Sequence, residues 1–293
     1  MGIITKILGG IYTVYENDTF IECRARGLFR HTGEKPLVGD NVELEIDELG
    51  KGTIRRIQPR RNEFLRPPVA NLDIMVIVAS AAIPVTEPFL IDRMAAVAQS
   101  AGVRPVICIN KADVNSADEL FGIYSRTPFP VFRVSAATNE GIGGLVDELY
   151  GNISVLTGNS GVGKSSILNA LGLELAVGEV SDKLGRGRHT TRHVEIHTLK
   201  NTKGPDARVI DTPGFSSFDT GKMSLIEQSD IENGFPEFEP FLGKCRFRDC
   251  VHVREPGCAV LSALGEGKID ASRHRSYVML LDTAKDLKAR EYK

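Results

Sequence analysis

The sequence predicts an α/β protein in three parts: an all-β barrel over residues 1–68, a central domain with a mostly parallel sheet over 69–222, and a mostly helical, metal-binding segment over 223–293. Three observations carry this. Short β-type stretches fill the first part with no segment of helical period between them. Apolar strand-like runs then alternate with helical segments, the pattern of a parallel sheet covered on both faces. Cysteine and histidine finally crowd into one short stretch. A chain of 293 residues exceeds a typical domain of ~100–200 residues, so two or three domains are expected.

Each part has its own elements. In the first, residues 10–15, 19–25, 41–46 and 53–57 read as strands, separated by turns such as Glu16-Asn17-Asp18 and Gly33-Glu34-Lys35-Pro36. A barrel of about five strands follows, and the OB-fold is the commonest such barrel that binds nucleic acid. A basic run, Arg55, Arg56, Arg60, Arg61 and Arg66, either meets phosphates or pairs with Asp and Glu nearby, and Pro67-Pro68 marks the boundary. In the middle part, residues 74–80, 105–109, 131–134, 153–157, 194–199 and 207–210 read as strands, and 88–100, 117–126 and 164–171 as helices. The chain ends in an amphipathic helix with Tyr277, Leu280, Leu281, Ala284 and Leu287 on one side.

Composition narrows the class. Hydrophobic residues are 42% and charged residues 25%, with a formal net charge of −2, so a basic surface has to be local. The start, MGIITKILGG, lacks a signal-peptide layout, and Lys6 breaks the myristoylation pattern. The longest apolar run, residues 74–82, falls far short of the ~20 residues of a membrane span. Five cysteines, three of them between 245 and 258, suit a metal site in a reducing compartment better than a disulfide framework. A cytoplasmic protein is expected.

Residues 158–165, Gly158-Asn159-Ser160-Gly161-Val162-Gly163-Lys164-Ser165, fit the phosphate-binding pattern G-x-x-x-x-G-K-[ST] between a strand and a helix. Its glycines let backbone N–H groups curl around phosphates. Lys164 is expected on the β and γ phosphates and the Ser165 hydroxyl on Mg²⁺, with Ser166 beside it. Asn110-Lys111-Ala112-Asp113 follows the strand 105–109, and a carboxylate at Asp113 can accept from guanine N1–H and the 2-amino group, which adenine does not offer. Ser135 and Ala136 close the strand 131–134, where backbone N–H groups suit guanine O6. Asp211-Thr212-Pro213-Gly214 ends the strand 207–210, with Asp211 and Gly214 on the Mg²⁺ and γ-phosphate side. Thr190 and Thr191 in Gly185-Arg186-Gly187-Arg188-His189-Thr190-Thr191 are the switch threonines, Thr191 being the second Mg²⁺ ligand. Any one of these motifs is weak; together, all at strand ends, they specify GTP.

Their order is rotated. Ordinary small GTPases run from the P-loop through the switch threonine and D-x-x-G to N-K-x-D and S-A-x, whereas here N-K-x-D and S-A-A come first. The central part is therefore expected to be a circularly permuted P-loop GTPase domain. Further on, Cys245-x4-Cys250-x-His252-x5-Cys258 supplies three thiolates and an imidazole, the donor set of one closed, structural Zn²⁺ site. Cys23 and Cys108 lie in apolar stretches and are expected in the core.

This succession resembles the RsgA/YjeQ family of circularly permuted GTPases, which act in late maturation of the small ribosomal subunit. The resemblance covers essentially the whole chain. It implies an N-terminal OB-fold, stimulation of GTP hydrolysis by the small ribosomal subunit, binding of 16S rRNA, the zinc region as a second ribosome contact, and a cytoplasmic location. A monomer exchanging GTP and GDP, with no membrane, is the expected state. Directly after Gly214, where many GTPases carry a water-orienting Gln, stands Phe215, so hydrolysis by the chain alone is expected to be slow. His189 is the candidate to orient the water, because an imidazole hydrogen-bonds water at neutral pH. Arg186 and Arg188 could offer charge to the transition state or meet rRNA phosphates. The alternative, an RNA-binding assembly protein using GTP only as a conformational ligand, rests on Phe215.

Overall fold

The computed structural model describes residues 1–25, 29, 34–65, 67–173, 194–212 and 228–291. In chain order the strands are β1 (Gly2–Leu8), β2 (Ile11–Glu16), β3 (Thr19–Ala25), β4 (Asn41–Ile46), β5 (Gly52–Ile57), β6 (Glu63–Leu65), β7 (Pro68–Ala70), β8 (Ile74–Ser80), β9 (Arg104–Asn110), β10 (Val131–Arg133), β11 (Ile153–Thr157), β12 (Glu195–Leu199) and β13 (Ala207–Asp211). The helices are α1 (Pro88–Ser100), α2 (Asp118–Tyr124), α3 (Ile142–Leu149), α4 (Lys164–Ala170), α5 (Gln228–Asn233), α6 (Ala259–Gly265) and α7 (Ala271–Glu291), with a 3₁₀ turn at Pro236–Phe241. No described helix is long and apolar enough to cross a membrane. The chain divides into two compact units, one of Met1–Met75, Gly143–Thr157 and Lys164–Ser216, the other of Val76–Ile142, Gly158–Gly163 and Ser217–Lys293.

In the first unit β1–β2–β3–β5–β4 close into a five-stranded barrel, because β1 pairs with β4 through Gly2↔Val42 and Ile3↔Asn41. Alternate residues of these strands point inward, and Ile4, Val14, Cys23, Val42, Ile54 and Ile57 form the barrel core. The expected four strands are all present; the fifth is β1, whose IITKI run has no turn residue before it to announce a strand. Sheet pairing does not stop at the barrel. Farther along the edge that pairs with β4, β1 meets β12, which runs antiparallel to β13, which lies parallel to β11. Pro67 and Pro68 sit at the turn of the β6–β7 hairpin, where Glu63 pairs with Ala70.

Of the two readings of the arginine run, pairing with nearby carboxylates accounts for most of it. Arg60 is committed to the barrel: its Nε donates to buried Asp40 at 2.8 Å, and it also reaches Glu63 and the Lys35 carbonyl. Arg61 donates to Asp73 at 2.6 Å and to the Asn71 carbonyl at 2.9 Å. Arg55 pairs with Glu45, and Arg56 stands opposite Glu43 across the β4–β5 ladder. Carboxylates close in space thus pair with Arg55, Arg60 and Arg61; Arg66 lies outside the described residues.

In the second unit β10–β9–β8 are neighbours, β9 and β10 parallel, with helix α1 against β9. The C-terminal segment packs on α1 around Ala96, Ile231, Phe235, Phe238, Val260, Ala263, Tyr277, Leu280 and Leu281. The amphipathic reading of the last helix holds for Tyr277, Leu280 and Leu281, while Ala284 and Leu287 are only half-buried. On the same face as Tyr277, one turn earlier, sits Arg273, fully buried. Its guanidinium binds Glu237 through two bonds of 2.7 and 3.0 Å and Asp92 on α1 at 2.8 Å, and it lies over the Phe235 ring. Tyr124 also donates to Asp92, at 2.7 Å. Burial pushes the Asp92 carboxyl up, against the pull of Arg273. Removing the cation would leave two buried carboxylates unpaired, so Arg273→Met is expected to cost about 3–5 kcal/mol. Denaturant unfolding measures this; a loss under ~1 kcal/mol would show that the cluster contributes no more than a surface ion pair.

Candidate functional site

In the second unit, three loops meet on one side chain. Asn110 ends β9, and its amide is buried. Its Nδ2 donates to the Val162 carbonyl in the Gly-rich loop at 2.9 Å, and its Oδ1 accepts from the Ala136 N–H at 3.1 Å. One amide therefore holds the N-K-x-D loop, the P-loop and the S-A-A loop together, which spacing alone does not reveal. Gly163, at φ +97°, lies so close that any Cβ there would strike Asn110 Nδ2. Gly158, at φ +142°, likewise leaves no room for a side chain against the Val78 carbonyl on β8. Val162 is buried, while Asn159, Ser160 and Gly161 lie on the more open side of the loop.

The base-side loops are shaped by their own backbones. Lys111 takes the left-handed conformation, φ +66°, and its Nζ donates to the Ile83 carbonyl at 2.8 Å. The Ala112 N–H donates to the Val134 carbonyl and the Asn115 N–H to the Lys111 carbonyl, which folds the turn and leaves Asp113 exposed at its tip. Among the described residues nothing hydrogen-bonds or ion-pairs with the Asp113 carboxylate. Ser135 is buried: its N–H donates to the Glu140 carbonyl, and its Oγ accepts from the Thr138 N–H. Ser135 thus shapes its loop, leaving the Ala136 region at the surface.

The first unit carries the other half of the motifs. Lys164 opens α4, with Ser165 and Ser166 exposed in its first turn. Burial pulls the Lys164 ammonium down to about 8. Asp211 ends β13, buried, with Glu195 opposite it on β12. His189, Thr190, Thr191 and Gly214 lie outside the described residues, as do Arg186, Arg188 and Phe215.

The Cys/His cluster is assembled. The donor atoms of Cys245, Cys250, His252 and Cys258 all lie within 4.8 Å of one another and could hold a metal ion. His252 Nδ1 is 3.5, 3.5 and 3.3 Å from the sulfurs of Cys245, Cys250 and Cys258. His252 turns inward through a left-handed backbone, φ +59°, and its carbonyl contacts His274 Nε2 at 2.7 Å. The Ala259 and Leu261 N–H groups donate to the sulfurs of Cys245 and Cys258, as around thiolates. Glu255 escaped the sequence reading. Burial works to raise its carboxyl, but the N–H groups of Arg254, Val253 and Val251 outweigh that and hold it down to about 2. One carboxylate thereby ties the loop that carries His252.

Comparison with known proteins gives consistent matches. Residues 57–221 match the protein-family model described as "RsgA GTPase", and residues 1–54 the one described as "RsgA N-terminal domain". A protein of Caldanaerobacter subterraneus subsp. tengcongensis named "Small ribosomal subunit biogenesis GTPase RsgA" is 41% identical over 297 residues, covering 100% of this chain and 98% of the relative. Its namesake in Halalkalibacterium halodurans is 40% identical over 299 residues, covering 99% of each. Among solved structures, YjeQ from Thermotoga maritima superposes with a TM-score of 0.78 at 34% identity, covering 97% of both chains. YloQ, a circularly permuted GTPase, also gives 0.78, at 32% identity, covering 97% of this chain and 94% of that one.

Proposed function

The chain belongs to the RsgA family and is a circularly permuted GTPase; from that premise we propose how its residues divide the work and what it acts with. Asp113 reads the guanine, with Lys111 beside it and the loop of Ser135 and Ala136 flanking the base. The loop from Gly158 to Gly163 wraps the phosphates, Lys164 binds them, and Ser166 flanks the site. Ser165 and Thr191 hold Mg²⁺, with Asp211 and Gly214 on the γ-phosphate side and Thr190 next to them. Mg²⁺, when bound, neutralises charge on the β and γ phosphates. His189 orients the attacking water. The observation that carries this reading is the Asn110 amide, which holds the base loop and the phosphate loop in fixed relation.

The Lys164 value gives a test with a sign. Bound phosphates favour the ammonium and raise its pKa, so GTP binding takes up a proton once the free protein has lost it. Affinity is full below about 8 and falls as pH rises through that value, by up to ~10-fold per unit. Lys164→Ala should lose tight binding and with it this slope. A wild-type affinity that stays flat between pH 7 and 9 would show that burial does not hold the free ammonium that low, and wild-type affinity in Lys164→Ala would remove Lys164 from the phosphates.

The curated relatives are named for small ribosomal subunit biogenesis, and we carry that role over. The chain acts in the cytoplasm as a monomer on the small ribosomal subunit and its 16S rRNA. Its working segments are the barrel, residues 1–68, the GTPase domain, 69–222, and a zinc domain, 223–293. For tetrahedral Zn²⁺ with bonds of about 2.3 Å to sulfur and about 2.05 Å to nitrogen, the edges come to roughly 3.8 Å for S···S and 3.6 Å for N···S. The separations of 3.8 Å between Cys245 and Cys258 and 3.3–3.5 Å to His252 support one structural zinc. The same loop presents Lys244, Arg246, Arg248 and Arg254, all exposed and without ion pairs among the described residues, around exposed Phe247. Free cations beside an aromatic ring suit RNA phosphates and unstacked bases.

Phosphate release with and without small ribosomal subunits tests this function. Slow release alone and much faster release with subunits are expected. His189→Ala should keep GTP affinity yet lose most of the stimulated rate, because a water-orienting group acts mainly in the transition state. Full stimulated turnover in that variant would assign the water to another group, and no stimulation of the wild type would remove the ribosome from the reading.

A further inference from the structure

We propose that Lys6, a residue of the barrel, is a positioning residue for GTP hydrolysis that acts through Glu195; this rests on the GTPase site assigned above. Strand β1 pairs with β2 and β4 inside the barrel and with β12 outside it. Among the described residues its pairing to β12 consists of one residue pair, Lys6↔Glu195, placed where the β1–β2 register shifts between Ile4 and Lys6. The side chains close the same contact: Lys6 Nζ lies 2.7 Å from Glu195 Oε2, with 30% and 32% of the two side chains exposed. On its other edge Glu195 stands opposite Asp211. A single line thus crosses three strands, Lys6 to Glu195 to Asp211.

The position of that line matters for the chemistry. Glu195 opens β12 and follows Thr191 by four residues in the sequence, so it is the first described strand residue after the switch threonines. Asp211 closes β13 and leads into the rest of the D-x-x-G motif. Both segments assigned to the γ-phosphate side therefore join the sheet at the one end of the β12–β13 pair that β1 holds. The remaining residues of β12, Ile196 to Leu199, are matched to β13 but not to β1. A half-exposed ion pair adds little to stability, and the barrel closes through β1–β4 without it. What the pair supplies is direction: it fixes where the chain leaves the switch segment. Small misplacements of groups that act in the transition state cost turnover far more than ground-state binding.

The experiment uses the full chain with Lys6→Glu, Glu195→Lys and the double exchange, together with the neutral Lys6→Met. Each is assayed for melting temperature, GTP affinity, and phosphate release with small ribosomal subunits present. Single reversals are expected to keep melting temperature and GTP affinity and to lower stimulated turnover about 5- to 10-fold, as for coupled neighbours. The double exchange should return turnover to within about twofold of wild type, because the pair is restored with its charges swapped. Lys6→Met removes the pair without adding repulsion and should lower turnover in the same direction. Wild-type turnover in Lys6→Met and both reversals, or a double exchange as slow as the singles, would overturn the proposal. The wild type alone reports on the underlying reading: without stimulated turnover there, the assigned function fails before this residue is tested.

Discussion

Asp113→Asn is expected to cost about 10²–10⁴-fold in GTP affinity and to create affinity for xanthosine triphosphate. Two hydrogen bonds to a carboxylate, at about 1.5–3 kcal/mol each, set that range. The asparagine amide turns one acceptor into a donor, which faces the guanine 2-amino group but suits the oxygen that xanthine carries there. Wild type should reject ATP for the matching reason, since a site built to pair buried polar groups discriminates by up to ~10⁴–10⁵. The fold makes the substitution clean. The turn is held by the backbone groups of Ala112 and Asn115, the helix after it starts with Asn115 Oδ1 accepting from the Ala117 N–H, and the Asp113 carboxylate takes no part in either. Competition among the three nucleotides decides the matter, and a variant that prefers GTP as strongly as wild type would take base recognition away from this loop.

Removing the metal should have the largest effect on stability. Structural zinc in comparable small sites carries ~10–16 kcal/mol of apparent binding free energy, which is folding free energy for the segment that supplies the ligands. Here Cys258 is buried, the cap of α6 and part of the core around Phe235, Phe238 and Tyr277. Cys258→Ala, or chelation, should therefore melt α6 and the first turns of α7 while leaving the barrel folded. Metal analysis of never-chelated protein should find one zinc per chain. A zinc-free preparation with amide-exchange protection intact in α6 and α7 would overturn the assignment.

The parts of this molecule written in local pattern could be read directly. Apolar runs such as 74–80 gave buried strands, and G-x-x-x-x-G-K-S sits between a strand and a helix, because each depends on neighbours within a few residues. Helix α3 was missed because Gly143 and Gly144 obscure its period. The arginine run stayed open in sequence for a different reason. Five arginines in a dozen residues look alike in sequence, but their partners Asp40, Asp73 and Glu45 come from other elements, and only the fold shows those charges already used. Asn110 is legible in sequence only as part of a motif; its bonds to Val162 and Ala136, 52 and 26 residues away, needed the loops in space. Arg273 on an otherwise apolar helix face gave no sign of the two carboxylates that meet it.

That last cluster has a consequence for how the protein is made. Asp92 and Arg273 are 181 residues apart. During synthesis α1 is available long before its counter-ion exists. Helix α1 packs against β9, the strand that delivers Asn110. The nucleotide-binding half that depends on α1 is thus expected to settle only once Arg273 has been made, as for any contact of such long loop closure. A chain truncated before Arg273 would leave a carboxylate buried on α1 with no cation to meet it, so incomplete products should fail to reach the GTP-binding state and fall to proteolysis instead.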